Sequence, residues 1–157
     1  MLSKVEITEG DYLLDLGCGY GVVGILAAKL IGAEKVVMAD INPAAVAAAS
    51  ENAIRNGVAQ VKVYQSDGFR DFQETGFSLI LSNPPYHVDF SVPKHFIEMG
   101  FNRLKIGGKM FLVTKRKEWY KNKMIAIFGG VQIWENNGYF IFMSVKNAMS
   151  YGKKTIK

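Results

Sequence analysis

An apolar run, Tyr12-Leu13-Leu14-Asp15-Leu16, breaks directly into Gly17-Cys18-Gly19-Tyr20-Gly21 and then into a helical stretch from about Val22 to Ile31. Few folds accept that order. The run lacks polar alternation, so it reads as a strand buried on both faces, and the glycines let the chain turn sharply into a helix that packs back on the sheet. The rest of the chain repeats the alternation. Strands are predicted over 35–39, 61–65, 77–82 and 109–114, the last entered through a Gly107-Gly108 turn. Helices are predicted from Pro43 to a stop at Gly57, over 93–104 and over 118–128, with Asn42 as an N-cap and Pro43 in the first helical position. Two last strands, 131–135 and 139–145, flank Asn136-Asn137-Gly138, a hairpin signal. The expectation is one α/β domain over residues 1–157, with a seven-stranded, mostly parallel sheet ending in an antiparallel hairpin.

A single cysteine, Cys18, excludes an intramolecular disulfide and points to a reducing, cytoplasmic setting. No apolar stretch is long enough to span a bilayer, and no membrane partner is expected. The charge is unevenly divided. Residues 1–93 carry a balance of −5 and residues 94–157 a balance of +10, so the second half is the side expected to meet a polyanion such as RNA.

Three acids follow three successive strands: Asp15, Asp40 and Asp67. They would line the carboxyl edge of the sheet, where open α/β folds bind ligands. Gly19-x-Gly21-x-x-Gly24 with Asp40 also satisfies the dinucleotide fingerprint, which keeps an NAD-dependent oxidoreductase among the alternatives. Asp15 argues against it. A carboxylate at the mouth of the loop would repel a pyrophosphate and attract a ligand bearing an ammonium and a sulfonium, as S-adenosylmethionine (AdoMet) does. Asp40 can accept from both ribose hydroxyls, and Asp67 from the adenine amino group.

Asn83-Pro84-Pro85-Tyr86 closes the fourth strand. Neither proline has an N–H, and Pro85 keeps Pro84 out of helical geometry, so the Pro84 carbonyl is expected to point outward. With the Asn83 side-chain oxygen it would make two acceptors for the hydrogens of a planar NH₂ group, and Tyr86 would supply a ring for the substrate's face. His87 follows, but with only His95 as company it forms no metal cluster, and no metal is expected. Lys115-Arg116-Lys117-Glu118-Trp119-Tyr120-Lys121-Asn122-Lys123 lies just past the fifth strand, where basic side chains between aromatics suit phosphate contact and base stacking.

Asp15-Leu16-Gly17-Cys18-Gly19-Tyr20-Gly21, Asp40-Ile41-Asn42-Pro43, Gln65-Ser66-Asp67 and Asn83-Pro84-Pro85-Tyr86-His87 together resemble the "methyltransferase small" domain. Within it, the chain resembles the bacterial 16S ribosomal RNA guanine-N2 methyltransferases and their compact archaeal relatives. Looser matches follow in register at Leu104-x-x-Gly107-Gly108, Arg116, Phe128-Gly129-x-Val131 and Gly138-Tyr139. The resemblance implies a Rossmann-like class I methyltransferase that modifies an exocyclic amine, with ribosomal RNA guanine N2 as the leading target. It implies AdoMet contacts from Asp15, Gly17, Cys18, Gly19, Gly21, Asp40, Ile41, Ser66, Asp67 and Asn83, and a target amine held by Asn83, Pro84 and Tyr86. RNA contacts are expected from Lys115, Arg116, Lys117, Lys121 and Lys123. The family's helix and substrate-side loop ahead of the first strand have no counterpart in the 14 residues before Asp15, so an N-terminal substrate-side element is expected to be missing. The alternatives are methylation of a protein glutamine amide, which uses the same tetrapeptide, and a non-catalytic module that binds AdoMet or RNA.

Overall fold

A computed structural model describes residues 1–85 and 89–151. Seven strands form one sheet: β1 (Leu13–Leu16), β2 (Val36–Asp40), β3 (Lys62–Gln65), β4 (Phe77–Ser82), β5 (Leu104–Thr114), β6 (Gln132–Asn136) and β7 (Tyr139–Val145). Their order is β3-β2-β1-β4-β5-β7-β6. The first five are parallel, while β7 runs antiparallel between β5 and β6. The chain thus reverses strand order at β1, and its neighbours β2 and β4 carry the second acid and the Asn83 segment at the same edge.

Period-two alternation divides the core into two layers. Leu14, Val37, Ile80 and Met110 point to one face, which is covered by α3 (Ser91–Arg103) and α4 (Glu118–Phe128). Leu13, Met38, Leu79 and Phe111 point to the other, which is covered by α1 (Val22–Ile31) and α2 (Pro43–Arg55). The four residues of β1 and the six of β4 are all buried, as expected of strands with both faces covered. Asp15 is on the Leu13 face, and that parity aims its carboxylate at α1.

The expected N-cap of α2 is present: Asn42 Oδ1 accepts from the Ala44 N–H at 2.9 Å, with Pro43 at the first helical position. One boundary differs. Gly107 and Gly108 make no turn ahead of a strand beginning at 109. β5 begins at Leu104, and the glycines form a bulge within it, where the register with β4 shifts between Phe77 and Leu79. Gly107 has φ +83°, and a Cβ on Gly108 would stand 2.9 Å from the Phe77 carbonyl, so glycine is required at both positions. No described helix is long and apolar enough to cross a membrane.

Candidate active site

The glycine loop wraps the carboxyl end of β1. Gly17, Gly19 and Gly21 have φ of +72°, +56° and +100°, a backbone path that side chains with a Cβ resist. Its amides are already engaged. The N–H groups of Gly17 and Cys18 donate to the Ala39 carbonyl at 2.8 and 3.0 Å, and Gly21 N–H donates to the Cys18 carbonyl at 3.0 Å. Gly19 N–H donates to Asp40 Oδ2 at 2.9 Å. In the first turn of α1, Gly24 N–H donates to Asp15 Oδ2 at 2.9 Å. A dinucleotide fold offers such amides to a pyrophosphate. Here the chain's own two carboxylates have taken them.

Asp15 is 5% exposed. Burial pushes its pKa up to about 7, the Gly24 hydrogen bond opposes the shift, and the Asp40 carboxylate adds to it. A cation arriving beside Asp15 would relieve that cost. Asp40 spans two elements, accepting from Gly19 with Oδ2 and from the Asn42 N–H with Oδ1 at 2.9 Å. Each carboxylate oxygen retains a second lone pair for a further donor. Cys18 is buried, and burial together with Asp15 and Asp40 pushes its thiol up to about 12, so it is an inert small residue in the turn.

Among the described residues, two pockets open at this edge. The larger, about 270 Å³, is lined by Leu16, Gly17, Ala39, Asp40, Ile41, Ser66, Asp67, Gly68, Asn83, Pro85, Val92 and Phe96. The smaller, about 230 Å³, is lined by Met1, Asp15, Gly17, Cys18, Gly19, Tyr20, Gly21, Val22, Val23 and Asn83. Gly17 and Asn83 belong to both. The larger pocket has apolar walls with acids at its rim, suited to a purine nucleoside. The smaller has a buried carboxylate and suits a charged tail. AdoMet has that composition, with the sulfonium between the two parts, so the residues present fit it.

Asn83 is exposed at the junction, Pro84 is buried, and Pro85 faces the larger pocket. Tyr86 and His87 lie outside the described residues. The junction is fixed from below by a residue that the sequence did not single out. Ser82, 1% exposed, donates its hydroxyl to the Leu16 carbonyl at 2.7 Å, tying the ends of β4 and β1 together. Ser66 lines the larger pocket, with its hydroxyl proton committed within its own turn: it donates to the Gly68 carbonyl at 2.7 Å and accepts from Asp71 N–H at 3.1 Å. Asp67 is at the pocket rim with one oxygen 2.6 Å from Arg70. Val92 and Phe96 were not anticipated. They sit one turn apart on α3, and only the packing of that helix over the sheet turns them toward the cleft.

Past β5, at the same edge, Lys115, Arg116 and Lys117 are exposed. Each lies over an aromatic ring: Lys115 over Tyr139 at 4.9 Å, Arg116 over Phe90 at 5.1 Å and Lys117 over Phe140 at 5.7 Å. Phe90 in turn stacks on Trp119, with centroids 4.5 Å apart. Lys121 is half-buried on α4. Lys123 departs from the expected set. Its ammonium pairs with Glu98 on α3 at 2.6 Å, largely buried, and it joins two helices instead of facing a phosphate. Among the described residues there is no group of three or more His, Cys, Asp or Glu that would hold a metal ion.

Comparison with known proteins gives a consistent result. Residues 1–143 match the family model described as the methyltransferase small domain. The Bacillus subtilis protein YbxB is 33% identical over 149 residues, covering 92% of this chain and 73% of that protein. Ribosomal RNA small subunit methyltransferase C of Hahella chejuensis is 34% identical over 151 residues, with 93% of this chain and 44% of the relative covered. The chain therefore spans under half of that relative. Among solved structures, the T. thermophilus 16S rRNA N2 G1207 methyltransferase RsmC, in complex with AdoMet and guanosine, superposes with a TM-score of 0.77 at 28% identity. It covers 88% of this chain and 38% of its own. The fold is thus the Rossmann-like methyltransferase fold, and the chain belongs to the methyltransferase small domain family.

Proposed function

We propose that this chain transfers the methyl group of AdoMet to an exocyclic amino nitrogen of ribosomal RNA, with guanine N2 as the target. The observation that carries this reading is the position of Asn83 where the nucleoside-like and tail-like pockets meet. AdoMet would supply an electrophilic methyl on its sulfonium. Asp40 and Asp67 would hold its adenosine, and Asp15 would face its ammonium. Asn83 Oδ1 and the Pro84 carbonyl would accept the two hydrogens of the target amine. That favours pyramidalisation and directs the nitrogen lone pair, otherwise conjugated into the base, toward the methyl. Alignment for in-line displacement supplies much of the remaining rate. As the C–N bond forms, the C–S bond would break and its electron pair return to sulfur, leaving a neutral thioether. The amine becomes a strong acid only then, so its proton can pass to water and no strong general base is needed.

RNA is favoured over a protein substrate by the row of cation–aromatic pairs beside the cleft. Rings beneath the charges restrict the side chains to one region of the edge, so less freedom is lost when phosphates bind. The likeness to RsmC, which was solved with guanosine, supports the choice of base. The test is tritiated-methyl transfer from AdoMet with ribosomal RNA, intact small subunits and release factors offered in parallel. Label should appear in the RNA as N2-methylguanine, and Asn83→Ala should reduce turnover about 100-fold. Label in release factor alone would assign the site to a glutamine amide, and an undiminished rate in Asn83→Ala would reduce the tetrapeptide to a turn.

A further inference from the structure

The turn after β3 supplies one wall of the larger pocket through Ser66, Asp67 and Gly68. The next residue, Phe69, is held on both sides by α3. Its N–H donates to His95 Nε2 at 3.1 Å, and its carbonyl accepts from the Arg103 guanidinium at 3.1 Å. Arg103 also donates to the carbonyls of Phe72 and Glu74, each at 3.0 Å. The His95 ring presses on the turn itself. A Cβ on Gly68, where φ is +59°, would stand 2.4 Å from His95 Cδ2 and 2.5 Å from Nε2. Phe96, the next residue on α3, lines the same pocket. One helix therefore provides a wall of the pocket and grips the turn that forms another.

The two grips differ in kind. A guanidinium donates at any working pH, whereas an imidazole nitrogen accepts only while it is unprotonated. A protonated His95 would set a donor against the Phe69 N–H. Half-burial disfavours that charge most, followed by Arg70 and, more weakly, Arg103, while Asp67 and Glu98 favour it. The balance holds the ring below the ordinary histidine value of 6.5, so it is an acceptor at neutral pH.

We propose that His95 is a positioning residue for the cofactor: its neutral ring holds the Ser66–Gly68 turn ready for the adenine, and protonation of the ring releases the turn. The inference rests on the AdoMet reading above, and the choice of probe separates the two. 5′-Methylthioadenosine carries the adenosine but neither the ammonium nor the sulfonium, so it brings no cation to Asp15. Calorimetric titration of the folded protein from about pH 8 to about pH 5 should show constant affinity down to about pH 6.5, then a loss of about fivefold to tenfold, the worth of one hydrogen bond. His95→Gln keeps a neutral acceptor and should bind, at every pH, within about threefold of wild type at about pH 8, with a flat pH profile. His95→Leu should bind at every pH about fivefold to tenfold more weakly than wild type does at about pH 8, level with the acid form of the wild type. The protection factor of the Phe69 amide, its exchange rate divided into the intrinsic rate at the same pH, should fall in step with the wild-type loss.

A flat wild-type profile, or a His95→Gln variant as weak as His95→Leu, would overturn the positioning role while leaving the AdoMet reading intact. Absence of binding of both methylthioadenosine and AdoMet at about pH 8 would overturn that reading, and this inference with it.

Discussion

Asp15→Asn should make the ligand-free protein more stable while making it a poorer receptor for AdoMet. The carboxyl is 5% exposed, and its pKa rises from the ordinary 3.8 to about 7. A group whose folded pKa lies above its unfolded one binds more protons in the folded state between the two values. Folding is therefore favoured while the group is protonated, and stability falls as pH rises from about 4 to about 7. The two values bound the full effect at about 4 kcal/mol, of which roughly 2–3 kcal/mol is lost between about pH 5 and about pH 8. An asparagine side chain would still accept from the Gly24 N–H and would carry no charge at any pH. The variant should gain up to about 4 kcal/mol over wild type near pH 8, and the gain should shrink steadily toward pH 4. Urea unfolding of both proteins at a series of pH values measures it. Its affinity for AdoMet should fall while that for methylthioadenosine holds, since only the former brings an ammonium to Asp15. A stability difference that does not change with pH would show that no desolvated carboxylate sits there. The link between the buried acid and a cationic ligand would then be lost.

Gly24→Ala tests the packing of α1 on β2. In an open helix the change would stabilise by about 1 kcal/mol, but here the new Cβ would stand 2.4 Å from Sδ of Met38, which is fully buried. Overpacking of about 1–3 kcal/mol should win, lowering the melting temperature by several degrees, and a rise would refute the close approach. For RNA, Arg116→Ala with Lys117→Ala should reduce the slope of log affinity against log salt by about two units, one per lost phosphate contact. Lys123→Ala should leave that slope unchanged, because its ammonium is paired with Glu98. An unaltered slope in the double variant would remove the row of cation–aromatic pairs from the interface.

Local features of the sequence determined the architecture and the chemistry of each segment. An apolar strand breaking into three glycines can be little else than a strand–loop–helix at the carboxyl edge of a parallel sheet. Asn42-Pro43 began α2 and Asn136-Asn137-Gly138 closed the hairpin at the expected places, because caps and tight turns depend on a few adjacent residues. The acids after successive strands were legible for the same reason, as strand ends in one sheet share an edge. Tertiary structure decided what those side chains have left to offer. The hydroxyl proton of Ser66 is committed within its turn, the ammonium of Lys123 is drawn into an ion pair between helices, and the Gly107-Gly108 segment is a bulge inside β5. Nothing in local spacing tells that Ser82 ties β4 to β1, or that His95 and Arg103 grip a turn some thirty residues earlier in the chain. Those contacts exist because two layers of helices pack on a sheet whose strand order differs from chain order. A hydrogen bond between distant segments is set by that packing geometry, and residue spacing along the chain carries no record of it.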